Sequence, residues 1–196
     1  MIAGKKVPRW SYAVLLMWLS ACASPREHLY ILDNRSADAI SMSESRATVI
    51  LGPVSVPQEV DRPQIVVREG PSQIFLNEQQ RWAAPLKDSL PRLLATELDR
   101  SQSNYRFAPT SSSAVATPKA RLAIDVTRFD VSSVAGATVS AHWVYRSLAQ
   151  ESPPIEGNAI GQAPVSSGGY DELVDALRLA SLQVAALIAA QLPATK

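Results

Sequence analysis

The chain has 196 residues, 19 basic and 18 acidic side chains, a formal net charge of +1 and a single cysteine. This length suits one domain with a substantial core. The balanced charge lacks the clustered Lys and Arg that mark nucleic-acid-binding proteins, and one cysteine excludes an intramolecular disulfide or a thiolate metal cluster.

Residues 1–21 have the features of a bacterial secretory signal. Three basic residues and no acidic ones lie in the first nine positions, and the nearly apolar segment WSYAVLLMWLSA follows. That segment is shorter than the roughly 20 apolar residues that a transmembrane helix needs. The next residues, Leu19-Ser20-Ala21-Cys22, resemble the lipobox, in which the cysteine becomes the first mature residue. The alternative is a cysteine that ends a signal anchor or lies in the core.

The lipobox resemblance implies a diacylglycerol on Cys22, usually with a third acyl chain on the new amino group. Cleavage before Cys22 removes 21 of 196 residues and three basic side chains, which leaves 16 basic and 18 acidic residues and a formal charge of −2. Such a chain has no polybasic patch to hold a membrane surface. Two or more acyl chains anchor stably, because each buried methylene contributes about 0.8 kcal/mol.

Residues 22–46 are predicted to form the lipidated N-terminus, a short tether and a loop, and residues 47–196 the folded domain. Within the first segment, Tyr30-Ile31-Leu32 is a candidate opening strand. Residues 33–46 are polar and lack periodicity, which is typical of a loop.

Three strands are predicted between residues 47 and 76. The segment ATVILGPVSVPQ alternates apolar residues but is interrupted by Gly52-Pro53. This indicates a strand with a bulge or bend, since proline cannot donate to a ladder. Residues 64–68 form a short β-branched run between turn residues, and a third strand is predicted over 72–76.

From Trp82 the period becomes helical, so Trp82 is predicted to open a helix that ends near Ser101. Its apolar face consists of Leu86, Leu90, Leu93, Leu94 and Leu98. Pro85 suits the first turn of a helix, whereas Pro91 predicts a kink or a fresh start. A short strand over 105–108 and a loop over 110–118 follow.

The strongest hairpin signal lies between residues 122 and 145. Its first strand changes phase near Thr127-Arg128, which predicts a β-bulge. A further strand is predicted over 155–162, and a long helix follows Gly168-Gly169. The predicted buried side of this helix consists of Leu173, Leu177, Val184, Leu187 and Ile188.

This order of elements predicts an α+β domain in which two main helices pack on one face of a largely antiparallel sheet. Motifs for catalysis are missing from the sequence: it has no H-E-x-x-H, G-x-S-x-G or phosphate-binding glycine loop. His28 lies in the tether and His142 in a strand. We therefore expect a protein without catalytic residues, metal or cofactor.

Two stretches, residues 49–69 and 82–86, resemble the PqiC-type (paraquat-inducible) family of ABC-type transport auxiliary lipoproteins. In that family a strand ends in "lgpv.vP", followed by "DRpqiV.R" and then "Wa.pL" at a helix opening. The six family-motif residues singled out here are Pro57, Asp61, Arg62, Pro63, Gln64 and Trp82. The sequence departs from the family pattern at residues 58–60 and at Pro91.

The resemblance implies a periplasm-facing lipoprotein of a mammalian-cell-entry (MCE) type lipid transport system. Its partners would be an MCE-domain protein and an inner-membrane permease, and it would dock or stabilise the transport conduit. The family-motif residues would be structural or would contact a partner. Ala23 favours the outer membrane, because aspartate at that position commonly retains lipoproteins in the inner membrane. Self-association into a ring is left open.

Three other functions are also compatible with parts of the sequence. One is an adaptor or plug lipoprotein of another envelope machine, such as lipopolysaccharide export or a TolB-like scaffold. Another is a periplasmic lipid-binding carrier with an internal apolar cavity. The third is a lipoprotein hydrolase, which would need a cleft that joins His142 to a nucleophile and an acid.

Overall fold

The computed structural model describes residues 26–33, 46–110, 112, 117–148 and 152–193. Cys22, the predicted signal and most of the predicted loops over 33–46 and 110–118 lie outside these residues. The elements in chain order are β1 (His28–Tyr30), β2 (Ala47–Ser55), β3 (Gln64–Arg68), β4 (Ile74–Trp82), α1 (Leu86–Ser101), β5 (Tyr105–Pro109), β6 (Ala120–Ser132), β7 (Gly136–Ser147), β8 (Ile155–Ala163) and α2 (Tyr170–Gln191).

The strands form two mixed sheets in a single α+β domain, which confirms the predicted class. The smaller sheet has the order β1-β4-β3, with β1 parallel and β3 antiparallel to β4. The larger has the order β5-β2-β6-β7-β8, and β2 is parallel to both of its neighbours. Adjacent strands joined by short turns are antiparallel, whereas the parallel neighbours of β2 follow long connections.

One face of the larger sheet is buried and the other is open. Alternate residues of β6 and β7 are buried, and Leu122, Ile124, Val139 and Trp143 are at most 1% exposed. The register shifts between Val126 and Arg128, which confirms the predicted bulge. Both helices pack against the buried face, which their apolar stripes cover.

The first helix differs from its prediction at two positions. Trp82 is the last residue of β4 instead of the opening of the helix, which begins at Leu86. The helix continues through Pro91 without a break. Because proline has no backbone N–H, the carbonyl of Lys87 lacks its usual intrahelical donor.

In α2, four of the five predicted core residues are buried, but Leu187 is 44% exposed. Consecutive residues point about 100° apart on a helix, so Ile188 faces the core and Leu187 does not. Within the described residues, α2 is the one helix long and apolar enough to cross a membrane, with a mean hydropathy of 1.7. More than half of the apolar stretch of this helix is buried inside the fold.

The helix α2 lies close against the edge strand β8. A Cβ at Gly161 would lie 2.0 Å from the carbonyl oxygen of Ala180, so a residue without a side chain is needed there. The backbone N–H of Gln162 donates to Oε1 of Gln183 at 2.9 Å. Part of this sheet edge is therefore covered by α2 itself.

The two sheets are joined by an ion pair between β3 and β6. Arg68 Nη2 lies 2.9 Å from Asp130 Oδ1, and Arg128 Nε lies 2.7 Å from the other carboxylate oxygen. Burial raises the pKa of Asp130, whereas the hydrogen bonds and positive charges of Arg68 and Arg128 lower it. The lowering is the larger effect, so the pKa lies below its ordinary value. The folded state therefore favours the ionised carboxylate.

We expect Asp130→Asn to lower the free energy of unfolding by about 1.5–3 kcal/mol near neutral pH, the usual size for hydrogen bonds to charged groups. A lowered folded-state pKa contributes stability above the ordinary pKa of about 4 and loses it as the pH falls through the folded value. Urea unfolding of the wild type and of Asp130→Asn should show that their difference in unfolding free energy shrinks as the pH falls from neutral to below about 4. A pH-independent difference would contradict the assignment. Glu27→Gln, which removes the more exposed pair with Arg81, is the control and should cost about 0.5 kcal/mol or less.

Candidate functional site

The junction between β4 and α1 brings three strands and a helix together. The backbone N–H of Trp82 donates to the carbonyl of Pro63 at 2.7 Å, and the N–H of Ala83 donates to the carbonyl of Tyr30 at 2.8 Å. The Trp82 ring is 8% exposed and packs in the core. These contacts place the end of β1, the start of β3 and the start of α1 around one point.

The structure brings four of the six family-motif residues together at this junction. Asp61, Arg62, Pro63 and Trp82 line a cleft of about 310 Å³, together with residues 83–85, which precede α1, and Lys87 in its first turn. Pro57 lies in the preceding turn, where its carbonyl accepts the N–H groups of Val60 and Asp61. Pro57 therefore shapes the turn that carries the other residues.

Gln64 lies apart from this cleft. Its Nε2 donates to Oε2 of Glu78 at 2.8 Å, which is a cross-strand contact on the exposed surface of the smaller sheet. Asp61 and Arg62 form no ion pair with each other in the described part of the chain. The Nε atom of Arg62 is buried and has no hydrogen-bond partner there.

Two further clefts adjoin the first. The largest, about 760 Å³, lies between the start of α1 and the bent region of β2 around Gly52-Pro53. The other, about 430 Å³, lies between α1 and the chain that follows β1, including Ile31. All three clefts open to the surface and share Ala84. We call these three clefts together the α1 groove.

Three cations that the sequence analysis did not single out line the α1 groove. Lys87 and Arg92 come from α1, and Arg121 comes from β6. Lys87 and Arg92 lie beside the apolar stripe of α1 at exposed positions, and hydrophobic periodicity identifies only the buried positions. Arg121 lies far from α1 in the sequence, and no local pattern links the two. An apolar groove with a cationic rim is suited to binding a partner.

The open face of the larger sheet holds a row of polar groups that bears on the hydrolase alternative. Asp125 lies opposite His142 in the pairing of β6 with β7, and the hydroxyl of Ser55 donates to Oδ1 of Asp125. His142 Nε2 lies 3.9 Å from a carboxylate oxygen of Glu156. In a hydrolytic triad the imidazole lies between the hydroxyl and the carboxylate. Here the carboxylate contacts the hydroxyl directly, so this row is not arranged for such chemistry.

A family model described as "ABC-type transport auxiliary lipoprotein component" matches residues 30–189. The crystal structure of an uncharacterized protein has a TM-score of 0.70 at 21% identity, and the match covers 85% of this chain and 99% of that chain. Protein XCC0632 from Xanthomonas campestris, of the DUF330 family, has a TM-score of 0.59 at 18% identity and coverages of 83% and 92%. At these identities the two structures show a shared fold. No curated protein sequence matches the chain.

We expect Trp82→Ala to lower the free energy of unfolding by about 3–5 kcal/mol, because it removes a large ring from the core at the junction. Phe75→Ala, on the same strand at a side chain that is 44% exposed, should cost about 1 kcal/mol or less. Chemical denaturation followed by circular dichroism measures both. Near-wild-type stability of the Trp82 variant would show that the ring does not hold the junction.

Proposed function

Because this chain belongs to the family of ABC-type transport auxiliary lipoprotein components, we propose that it serves an intermembrane lipid transport system of the MCE type. In this proposal the protein is anchored to the outer membrane, faces the periplasm, and docks or stabilises the transport conduit. The family match, which spans residues 30–189, is the observation that carries the proposal.

The proposed anchor is an acylated Cys22, with residues 1–21 removed as the signal peptide. Five residues lie between Cys22 and His28, the first residue of β1, and the six residue steps of a fully extended chain span at most about 22 Å. An acylated Cys22 would therefore hold the smaller sheet within this distance of the membrane. Ala23 favours the outer membrane over the inner one.

The proposed partners are an MCE-domain protein and an inner-membrane permease, and the proposed mode of action is binding without catalysis. Two kinds of surface are available for docking. The edge strand β8 is one, but the N–H of Gln162 on its outer edge already donates to the side chain of Gln183. The α1 groove, which contains four of the family-motif residues, is the other and the better supported of the two.

We expect the native lipoprotein, purified from membranes in mild detergent, to bring down an MCE-domain protein and a permease in a constant ratio. Mass spectrometry of the purified material identifies the partners. The same preparation should contain an acylated residue 22. Co-purification with components of another envelope machine, and none with an MCE-domain protein, would contradict the proposal.

Cys22→Ser is the matched variant for this experiment. Because serine cannot take the thioether-linked lipid, the variant should leave the membrane fraction or keep its signal sequence attached. Arg26→Ala, four residues along, keeps the cysteine and should fractionate like the wild type. Unchanged membrane binding of Cys22→Ser would remove the proposed anchor.

A further inference from the structure

The largest cleft of the α1 groove concentrates three cations. Lys87, Arg92 and Arg121 line it, and all three are exposed. None of them forms an ion pair or a side-chain hydrogen bond with any residue that the structure describes. Five other arginines form ion pairs: Arg68, Arg81, Arg100, Arg128 and Arg178. Arg26, Arg106 and Arg146 form none with a described residue either, so the grouping of three cations in one cleft is what distinguishes Lys87, Arg92 and Arg121.

A fourth cation lies opposite Arg121 on the neighbouring strand. Arg121 of β6 is paired with Arg146 of β7, and both side chains are exposed on the open face of the larger sheet. Like charges directly opposite each other on adjacent strands destabilise a sheet. An anionic group bound near Arg121 would relieve this repulsion.

The start of α1 adds to the positive potential. The N-cap residue, Pro85, has no side-chain hydrogen bond to the helix, and its carbonyl accepts the N–H groups of Asp88 and Ser89. The N–H groups of Leu86 and Lys87 precede these and have no acceptor within the helix. They also lie at the positive end of the helix dipole. Among the residues that line the clefts, each cleft has one aspartate: Asp88 in the largest, and Asp33 and Asp61 in the two smaller ones. The excess of positive charge is therefore concentrated in the largest cleft.

The walls of the cleft are apolar, which distinguishes it from a simple charged patch. Leu51, Pro53, Val54, Pro91 and Pro109 line it together with the cations. On either side of Ala84 the surface continues into the two smaller clefts. A ligand that covered the groove would therefore be extended, with anionic groups near the rim and apolar groups against the walls.

We propose that the α1 groove binds an acidic, partly apolar segment of a partner protein in the transport complex. The inference rests on the proposed function, because it identifies the surface through which that complex is joined. The openness of the three clefts favours a polypeptide over a phospholipid, since acyl chains need an enclosed apolar cavity. Complementary charge across such an interface increases the association rate and selects the partner.

A photo-crosslinking amino acid at Ala84, in the full-length lipoprotein in its native cells, tests the inference. We expect an adduct with a transport-complex protein, and the crosslinked peptide of that protein should contain more acidic than basic residues. The triple variant Lys87→Glu, Arg92→Glu, Arg121→Glu should reduce the adduct by about tenfold or more. The charge-preserving variant Lys87→Arg, Arg92→Lys, Arg121→Lys is the matched control and should retain it.

An adduct with phospholipid or with a second copy of this chain would overturn the inference, as would the absence of any adduct. A protein adduct that survives the charge reversal would also overturn it. Thermal melting of each variant checks that a lost adduct is not due to unfolding. If the MCE-domain protein still co-purifies but the Ala84 adduct fails, this inference alone is wrong. If co-purification fails, the proposed function is wrong.

Discussion

Two backbone hydrogen bonds at the end of β4 determine where the candidate site lies. Trp82 donates to Pro63, and Ala83 donates to Tyr30, so the smaller sheet and the start of α1 share one junction. The buried Trp82 ring anchors this junction in the core. These contacts hold the turn that contains Asp61 and Arg62 beside the residues that lead into α1, which together form the smallest cleft of the α1 groove.

Much of the local structure could be predicted from hydrophobic periodicity. The bulged hairpin of β6 and β7, the strand β3 and the end of α1 all follow patterns within short segments. The parallel pairing of β2 with β5 and β6 could not be predicted, because it joins distant segments whose register leaves no local pattern. The prediction ended β4 at residue 76, because residues 77–81 are polar and do not alternate.

The candidate site could be predicted only in part, and for a physical reason. The family resemblance pointed to Asp61, Arg62, Pro63 and Trp82, which the fold brings to one cleft. The cations of the α1 groove were missed, because exposed Lys and Arg occur on the polar face of most helices and signal nothing alone. What distinguishes them is that Lys87, Arg92 and Arg121 line one cleft. This grouping is a property of the tertiary structure.

Hydrogen–deuterium exchange of the lipoprotein, alone and in complex with the proposed MCE-domain partner, tests the docking claim most directly. The N–H groups of Leu86 and Lys87 have no acceptor within the helix and should exchange rapidly in the free protein. Our account predicts slower exchange over residues 83–90 in the complex. Unchanged exchange there, with protection confined to the β8 edge, would contradict it.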